Sequence, residues 1–99
     1  MPSKRFFIYV LLTINNKLYC GYTDDLKKRF QNHLTGKASK FTRANKPQKY
    51  VYTKEYLTKS EAMKEEYRIK RLTRKQKEEL IQAQLSSSSF YRSTQNINK

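Results

Sequence analysis

Apolar residues along this chain gather into a few blocks, and the spacing inside each block differs. The first, Phe6-Phe7-Ile8-Tyr9-Val10-Leu11-Leu12-Thr13-Ile14, is nearly continuous and dense in β-branched and aromatic side chains. A run of that length and composition, closed off by polar residues, reads as a buried strand. Asn15-Asn16-Lys17 supplies residues that tolerate left-handed backbone angles, and Leu18-Tyr19-Cys20-Gly21-Tyr22 follows as a second short strand. Together they predict a β-hairpin. The period then changes. Leu26, Phe30 and Leu34 recur at helical spacing, behind a start signal in which the Thr23 hydroxyl caps and Asp24 and Asp25 sit at the positive end of the dipole. Gly36 offers the stop.

Residues 37–49 carry five basic side chains (Lys37, Lys40, Arg43, Lys46, Lys49) and no acid, and read as either a short helix or an extended loop. Residues 49–57 have strand composition and give a third strand. Thr58 and Glu61 stand at capping-box spacing, opening a helix with Ala62, Met63, Glu66, Ile69 and Leu72 along one side. Thr73 and Gln76 repeat the box, so a further helix is expected to about Leu85. Ser86-Ser87-Ser88-Ser89 and the polar residues to Lys99 read as a flexible tail. The expected organisation is one α+β domain over residues 1–85, a small three-stranded antiparallel sheet flanked by helices, with residues 86–99 as the tail.

Composition narrows the class. The chain has 99 residues, enough for one domain with a thin core, and only 36% of them are hydrophobic. Eight tyrosines and five phenylalanines, held in patterned segments, nonetheless argue for a fold. There are 22 Lys and Arg against 8 acids, a formal net charge of +14. Such an excess repels itself and points to a polyanionic partner, with nucleic acid ahead of an acidic membrane surface. One cysteine, Cys20, excludes an internal disulfide, and one Cys with one His excludes a four-ligand zinc site. The most apolar run is too short to span a bilayer, so no membrane association and a reducing cytoplasmic location are expected.

Three sets of residues suggest chemistry. Arg29 and His33 lie four apart, so on a helix they share a face and can converge. Tyr9 and Tyr19 fall on neighbouring strands of the expected hairpin. Glu66 shares a helix side with Ala62 and with Ile69 or Lys70, so it points partly inward, where an unpaired carboxylate is costly and a metal ion would offset the cost. Glu65 should turn away and pair with solvent or a lysine. Cys20 reads as a small buried residue beside Gly21, and Gly21 as a point of close backbone approach or a bend.

Phe7-Ile8-Tyr9 in the first strand and Tyr19-Cys20-Gly21 in the second, with ten positions from Tyr9 to Tyr19 and with Arg29, His33 and Glu66 in order behind them, resemble the GIY-YIG nuclease superfamily. The similarity covers about residues 6–82. It is especially close to small stand-alone bacterial members of the YhbQ and YazA kind, through Gly36-Lys37-Ala38, Phe41-Thr42-Arg43 and Lys70-Arg71-Leu72-Thr73-Arg74. The resemblance implies a metal-dependent DNA endonuclease with a catalytic set of Tyr9, Tyr19, Arg29, His33 and Glu66. Glu66 would be the sole protein ligand of Mg²⁺ or Mn²⁺, and Arg29 would bind the non-bridging phosphate oxygens. Tyr9 would be the general base for water, with Tyr19 positioning phosphate or water beside it. His33 would accept a proton from Tyr9 or bind phosphate. Where some family members carry lysine directly after the second tripeptide, this chain has Tyr22.

With no DNA-reading domain in the sequence, affinity would come from the sheet face and from Lys37, Lys40, Arg43 and Lys46. That predicts salt-sensitive binding to branched, nicked or single-stranded DNA with little base readout, and a place in DNA repair or recombination. Two other classes fit the charge: a non-catalytic nucleic-acid-binding module on the same scaffold, and a protein-interaction domain whose basic face meets an acidic partner.

Overall fold

The long apolar run becomes the central strand of the sheet, with an antiparallel neighbour on each side. A computed structural model describes residues 4–97, with side chains described for residues 4–86. The element order is β1 (Phe6–Thr13), β2 (Leu18–Thr23), α1 (Leu26–Leu34), α2 (Lys40–Ala44), β3 (Pro47–Tyr56), α3 (Lys59–Lys70) and α4 (Arg74–Ile97). The sheet order is β2-β1-β3. The α+β class and the three-stranded antiparallel sheet expected from the sequence are what is found.

A strand with neighbours on both edges and helices on both faces has no wet side, which explains why β1 shows no polar alternation. Ile8, Tyr9, Val10 and Leu11 are all buried. Alternate residues nonetheless serve different layers. Ile8 and Val10 join Cys20, Tyr52 and Ile69 in an apolar core, closed by Leu72, Leu80 and Ile81 from the segment that links and includes α3 and α4. Tyr9 faces the other way, toward His33 of α1 and Tyr50 of β3.

A register shift in the β1–β3 pairing makes this division work. Val10 pairs with Tyr52 but Leu11 pairs with Tyr50, leaving Val51 as the extra residue of a bulge. Tyr50 and Tyr52, two apart, would otherwise point to one face. The bulge sends Tyr52 into the apolar core and Tyr50 to the Tyr9 side. There its hydroxyl donates to the Leu26 carbonyl at 2.7 Å, tying the first residue of α1 to the sheet.

Several local signals act as read. Asn16 takes the left-handed angle of the hairpin turn, with φ 63°. Gly36, φ 78°, ends α1 with Lys37 N–H on the Asn32 carbonyl and Gly36 N–H on the His33 carbonyl, the paired bonds of a Schellman stop. Thr58 caps α3, and Thr73 and Gln76 form a reciprocal capping box at α4.

Others differ. The cap of α1 is Asp25, whose carboxylate accepts from Lys28 N–H at 3.0 Å, while the Thr23 hydroxyl accepts from Asp25 N–H one step earlier. β2 runs through Thr23, so the helix begins later than the hydroxyl alone suggests. Within the basic stretch the choice falls to a short helix, α2, capped by Ser39. Met63 is exposed, because its position has turned a step past the Ala62–Ile69 side that meets the sheet. α4 continues to Ile97, past the end near Leu85 that the serine run suggests. No Gly or Pro interrupts it, so nothing in the backbone forces an earlier stop. Side chains from residue 87 on lie outside the described residues, and the expected tail falls largely among them. Among the described residues no helix is long and apolar enough to cross a membrane.

Candidate active site

Antiparallel pairing sets Tyr9 opposite Gly21 and Leu11 opposite Tyr19. Tyr9 and Tyr19 are therefore diagonal partners on one face, with ring centroids 6.4 Å apart. Gly21 is what lets Tyr9 lie down across β2. A Cβ there would sit 2.5 Å from the Tyr9 hydroxyl oxygen and 2.7 Å from the ring carbon that bears it. The close-approach reading of Gly21 thus has a specific object, the phenol of Tyr9.

This face opens into a cleft of about 530 Å³ lined by Tyr9, Tyr19, Gly21, Arg29, Lys59 and Glu66, among others. Four residues singled out from the sequence, on two strands and two helices, meet there. α3 packs against β2 and β1, which brings Glu66 and Lys70 to the open edge of β2. Lys70 Nζ stands 3.2 Å from Glu66 Oε2 and 5.8 Å from the centre of the Tyr19 ring. The Glu66 side chain is only 21% exposed, so its charge is held partly out of water by this one cation. Lys70, which shares the Glu66 side of the helix in the sequence, takes up the carboxylate at the favourable Glu-to-Lys spacing of four. Glu65 does turn away, but its partner is Arg68, through two bonds of 2.9 and 2.6 Å. Lys4 and Lys59 are further cations of the cleft that no motif marked.

His33 sits behind Tyr9, not in the cleft. It is 1% exposed, its Nε2 lies 2.8 Å from the Tyr9 hydroxyl, and its Nδ1 lies 2.7 Å from the Thr42 hydroxyl. With both nitrogens engaged, the phosphate-binding role falls away and the link to Tyr9 remains. Burial, assisted by the Arg29 guanidinium, pushes the imidazole down to about 4, so His33 is neutral at physiological pH. Burial also pushes the Tyr9 phenol well above the usual tyrosine range, against the pull of Arg29. Arg29 thus favours the Tyr9 phenolate, but burial is the larger effect. Cys20 is a buried free thiol pushed up to about 12 by burial and then by Glu66, which leaves it inert as a nucleophile.

Lys37, Lys40, Arg43 and Lys46 are exposed and do not line the cleft. Those on α2 border it through Phe41, which stacks on Tyr19 at 5.7 Å.

The donor set bears on the metal. Among the described residues no three His, Cys, Asp or Glu side chains come together, which disfavours a caged transition metal. Both acids of the cleft have a cation beside them, Lys4 at 2.9 Å from Asp24 and Lys70 at 3.2 Å from Glu66, but Glu66 is the more buried of the two. A single partly buried carboxylate at an open cleft suits a hard divalent ion that keeps water and substrate oxygens as its other ligands. Glu66 fits that role.

Several known proteins are similar to this chain. A family model described as the GIY-YIG catalytic domain matches residues 5–79. A UPF0213 protein of Bacillus velezensis is 49% identical over 82 residues, covering 83% of both chains. The UPF0213 protein YazA of Bacillus subtilis is 40% identical, covering 88% of both. A solution structure of a UPF0213 protein from Bacillus halodurans is 37% identical with a TM-score of 0.53, covering 80% of this chain and 84% of that one.

Proposed function

Since the chain belongs to the GIY-YIG family, whose nucleases act on DNA and generally need a divalent metal, we propose that it is a metal-dependent endonuclease hydrolysing DNA phosphodiester bonds. The observation that carries the reading is the meeting of Tyr9, Tyr19, Arg29 and Glu66 in one cleft. Binding alone has no use for a partly buried carboxylate facing a phosphate.

The roles follow from position. Arg29 enters the cleft with no ion-pair partner among the described residues, so its guanidinium is free to hold the non-bridging oxygens as negative charge builds on them. Glu66 would hold Mg²⁺ or Mn²⁺, which would supply charge neutralisation at the phosphate and the leaving group. Tyr9 removes the proton from the attacking water, and His33, neutral and in contact with the phenol, receives the phenol's own proton. Tyr19 orients water or phosphate from the mouth of the cleft. Lys37, Lys40, Arg43 and Lys46 bind flanking phosphates. Contacts of that kind read backbone shape rather than base sequence, which favours branched, nicked or single-stranded DNA and a task in repair or recombination.

The test is incubation with plasmid and branched DNA, with Mg²⁺ or Mn²⁺ and with chelator, for wild type and Glu66→Ala. Cutting should need the metal and fall by about a thousandfold in Glu66→Ala, the scale of losing one preorganised electrostatic stabiliser. DNA affinity should hold and should weaken steeply with salt. Cutting that survives both chelation and Glu66→Ala would sink the mechanism. Binding with no cutting by wild type would leave a nucleic-acid-binding module on the same scaffold.

A further inference from the structure

Behind Tyr9 the hydrogen bonds do not stop at His33. Tyr9 and His33 Nε2 are 2.8 Å apart, His33 Nδ1 and Thr42 Oγ1 2.7 Å, and Thr42 Oγ1 and Ser39 Oγ 2.9 Å. His33 and Thr42 are each 1% exposed, whereas Ser39 is half-buried at the start of α2. The four groups form a line from the cleft to the start of α2. Every one of them can both give and take a hydrogen bond. The line can therefore close in two polarities, with all buried polar atoms satisfied in each.

We propose that Thr42 and Ser39 are the outlet of a proton wire that turns Tyr9 into a phenolate without charging His33. This rests on the reading of Tyr9 as the base. In the resting polarity the Tyr9 O–H donates to Nε2, Nδ1–H donates to Thr42, and the Thr42 O–H donates to Ser39. In the transfer the phenol proton moves to Nε2, the Nδ1 proton to Thr42 and the Thr42 proton to Ser39, and the Ser39 proton leaves to bulk water. The net change is one proton passed from Tyr9 to solvent. The line is left reversed, with Ser39 donating to Thr42, Thr42 to Nδ1, and Nε2–H donating to the Tyr9 phenolate. That phenolate is the species able to take a proton from the attacking water.

Two features favour a wire over storage of the proton on the imidazole. Burial and Arg29 both oppose a charged His33. The groups facing Tyr9 are Tyr19 from β2, Tyr50 from β3, and Arg29 and His33 from α1, with Glu66 and Lys59 lining the cleft itself and the Cys20 thiol near by on the opposite face of β2. Among the described residues no carboxylate lies against His33 to hold an imidazolium, so a proton that arrives must move on. Thr42 and Ser39 also have a simpler task, as the capping contact of α2, where Thr42 N–H donates to Ser39 Oγ at 3.1 Å. That task needs neither the Thr42 hydroxyl nor its position against Nδ1.

The test uses Thr42→Val, which keeps the shape and loses the hydroxyl, Thr42→Ser, which restores it, and Ser39→Asn, which keeps a good cap without a hydroxyl. Nitrogen-15 NMR of the one histidine should find Nδ1 protonated in wild type and Thr42→Ser, and Nε2 protonated in Thr42→Val. Single-turnover cleavage by Thr42→Val and Ser39→Asn should be at least about tenfold slower at neutral pH, at the lower edge of what proton transfer contributes. The deficit should shrink as pH rises and the phenol ionises directly, and Thr42→Ser should recover most of the rate. Thr42→Val cutting at the wild-type rate with an unchanged pH profile overturns the wire and leaves the nuclease standing. So does finding Nε2 protonated in wild type. Wild type that cuts no DNA with any divalent metal overturns the nuclease reading and the wire together.

Discussion

Ile8 and Tyr9 are adjacent in the sequence, buried to nearly the same degree, and belong to different molecules in all but covalent terms. Ile8 looks into a core of Val10, Cys20, Tyr52 and Ile69, where neighbours meet by dispersion and area alone. Tyr9 looks into a layer of aromatic rings threaded by hydrogen bonds: Tyr19, Tyr50 and His33, with Thr42 behind. The first layer holds the sheet together; the second places one phenol within reach of Arg29 and Glu66. A domain this small has no interior to spare, and the two-residue period of a strand lets one element serve both ends.

If the division is real, the two faces should fail differently. Ile8→Ala should lower stability by about 2–5 kcal/mol, the range for truncating a fully buried isoleucine, while the cleavage rate per folded molecule stays near wild type. Tyr9→Phe should do the reverse. It leaves His33 Nε2 without a partner, at about 1–3 kcal/mol, and abolishes cutting. Denaturant midpoints and single-turnover rates on the same samples check both. Equal losses of stability and activity in the two variants would erase the distinction.

Gly21→Ala sits where the faces cannot be separated. The added Cβ meets the Tyr9 phenol, and β2 cannot retreat without loosening its pairing with β1. The expected cost is about 1–3 kcal/mol, as for overpacking generally. The Tyr9–His33 bond should break at the same time, visible as a change in the His33 ring shifts. A Gly21→Ala variant of native stability and rate would mean that Tyr9 has a second way to lie.

How much of this was legible depends on the range of the contact. Strand β1, the Asn16 turn, the Gly36 stop and the caps at Thr58 and Thr73 are local chemistry, and the chain spells them out. Tyr9, Tyr19, Arg29, His33 and Glu66 were visible as a pattern, but only the folded chain reveals that four of them share a cleft and that His33 stands behind Tyr9. What stayed hidden is what depends on register. The bulge at Val51 has no sequence mark, yet it decides which tyrosine of β3 joins which layer. The Thr42 contact with His33 needs the Schellman turn at Gly36 to fold α2 back on α1. Lys70 was half legible: its spacing from Glu66 is local, but its place beside the Tyr19 ring depends on how α3 packs on β2.

The smallest expected effect separates the faces by pH alone. His33 in the folded chain sits at about 4, below the ordinary histidine value near ~6.5, because burial and Arg29 disfavour its charged form. Above about 6.5 the group is neutral folded and unfolded alike, and the stability it carries is whole. As pH falls from there toward 4, the unfolded chain takes up a proton that the folded chain refuses. Stability should then drop by up to about 1.4 kcal/mol per pH unit, the value for one proton. The paired carboxylates Asp24 and Glu65 are held below their usual range by Lys4 and Arg68, so their losses come at lower pH. Since the chain has one histidine, the window from about pH 5 to 6.5 belongs to His33. Ile8→Ala should shift the whole curve of stability against pH downward and keep its slope there. His33→Gln should flatten the slope. A slope that persists in His33→Gln would place the proton elsewhere, and a flat wild-type curve would mean that His33 is not held neutral by the layer around Tyr9.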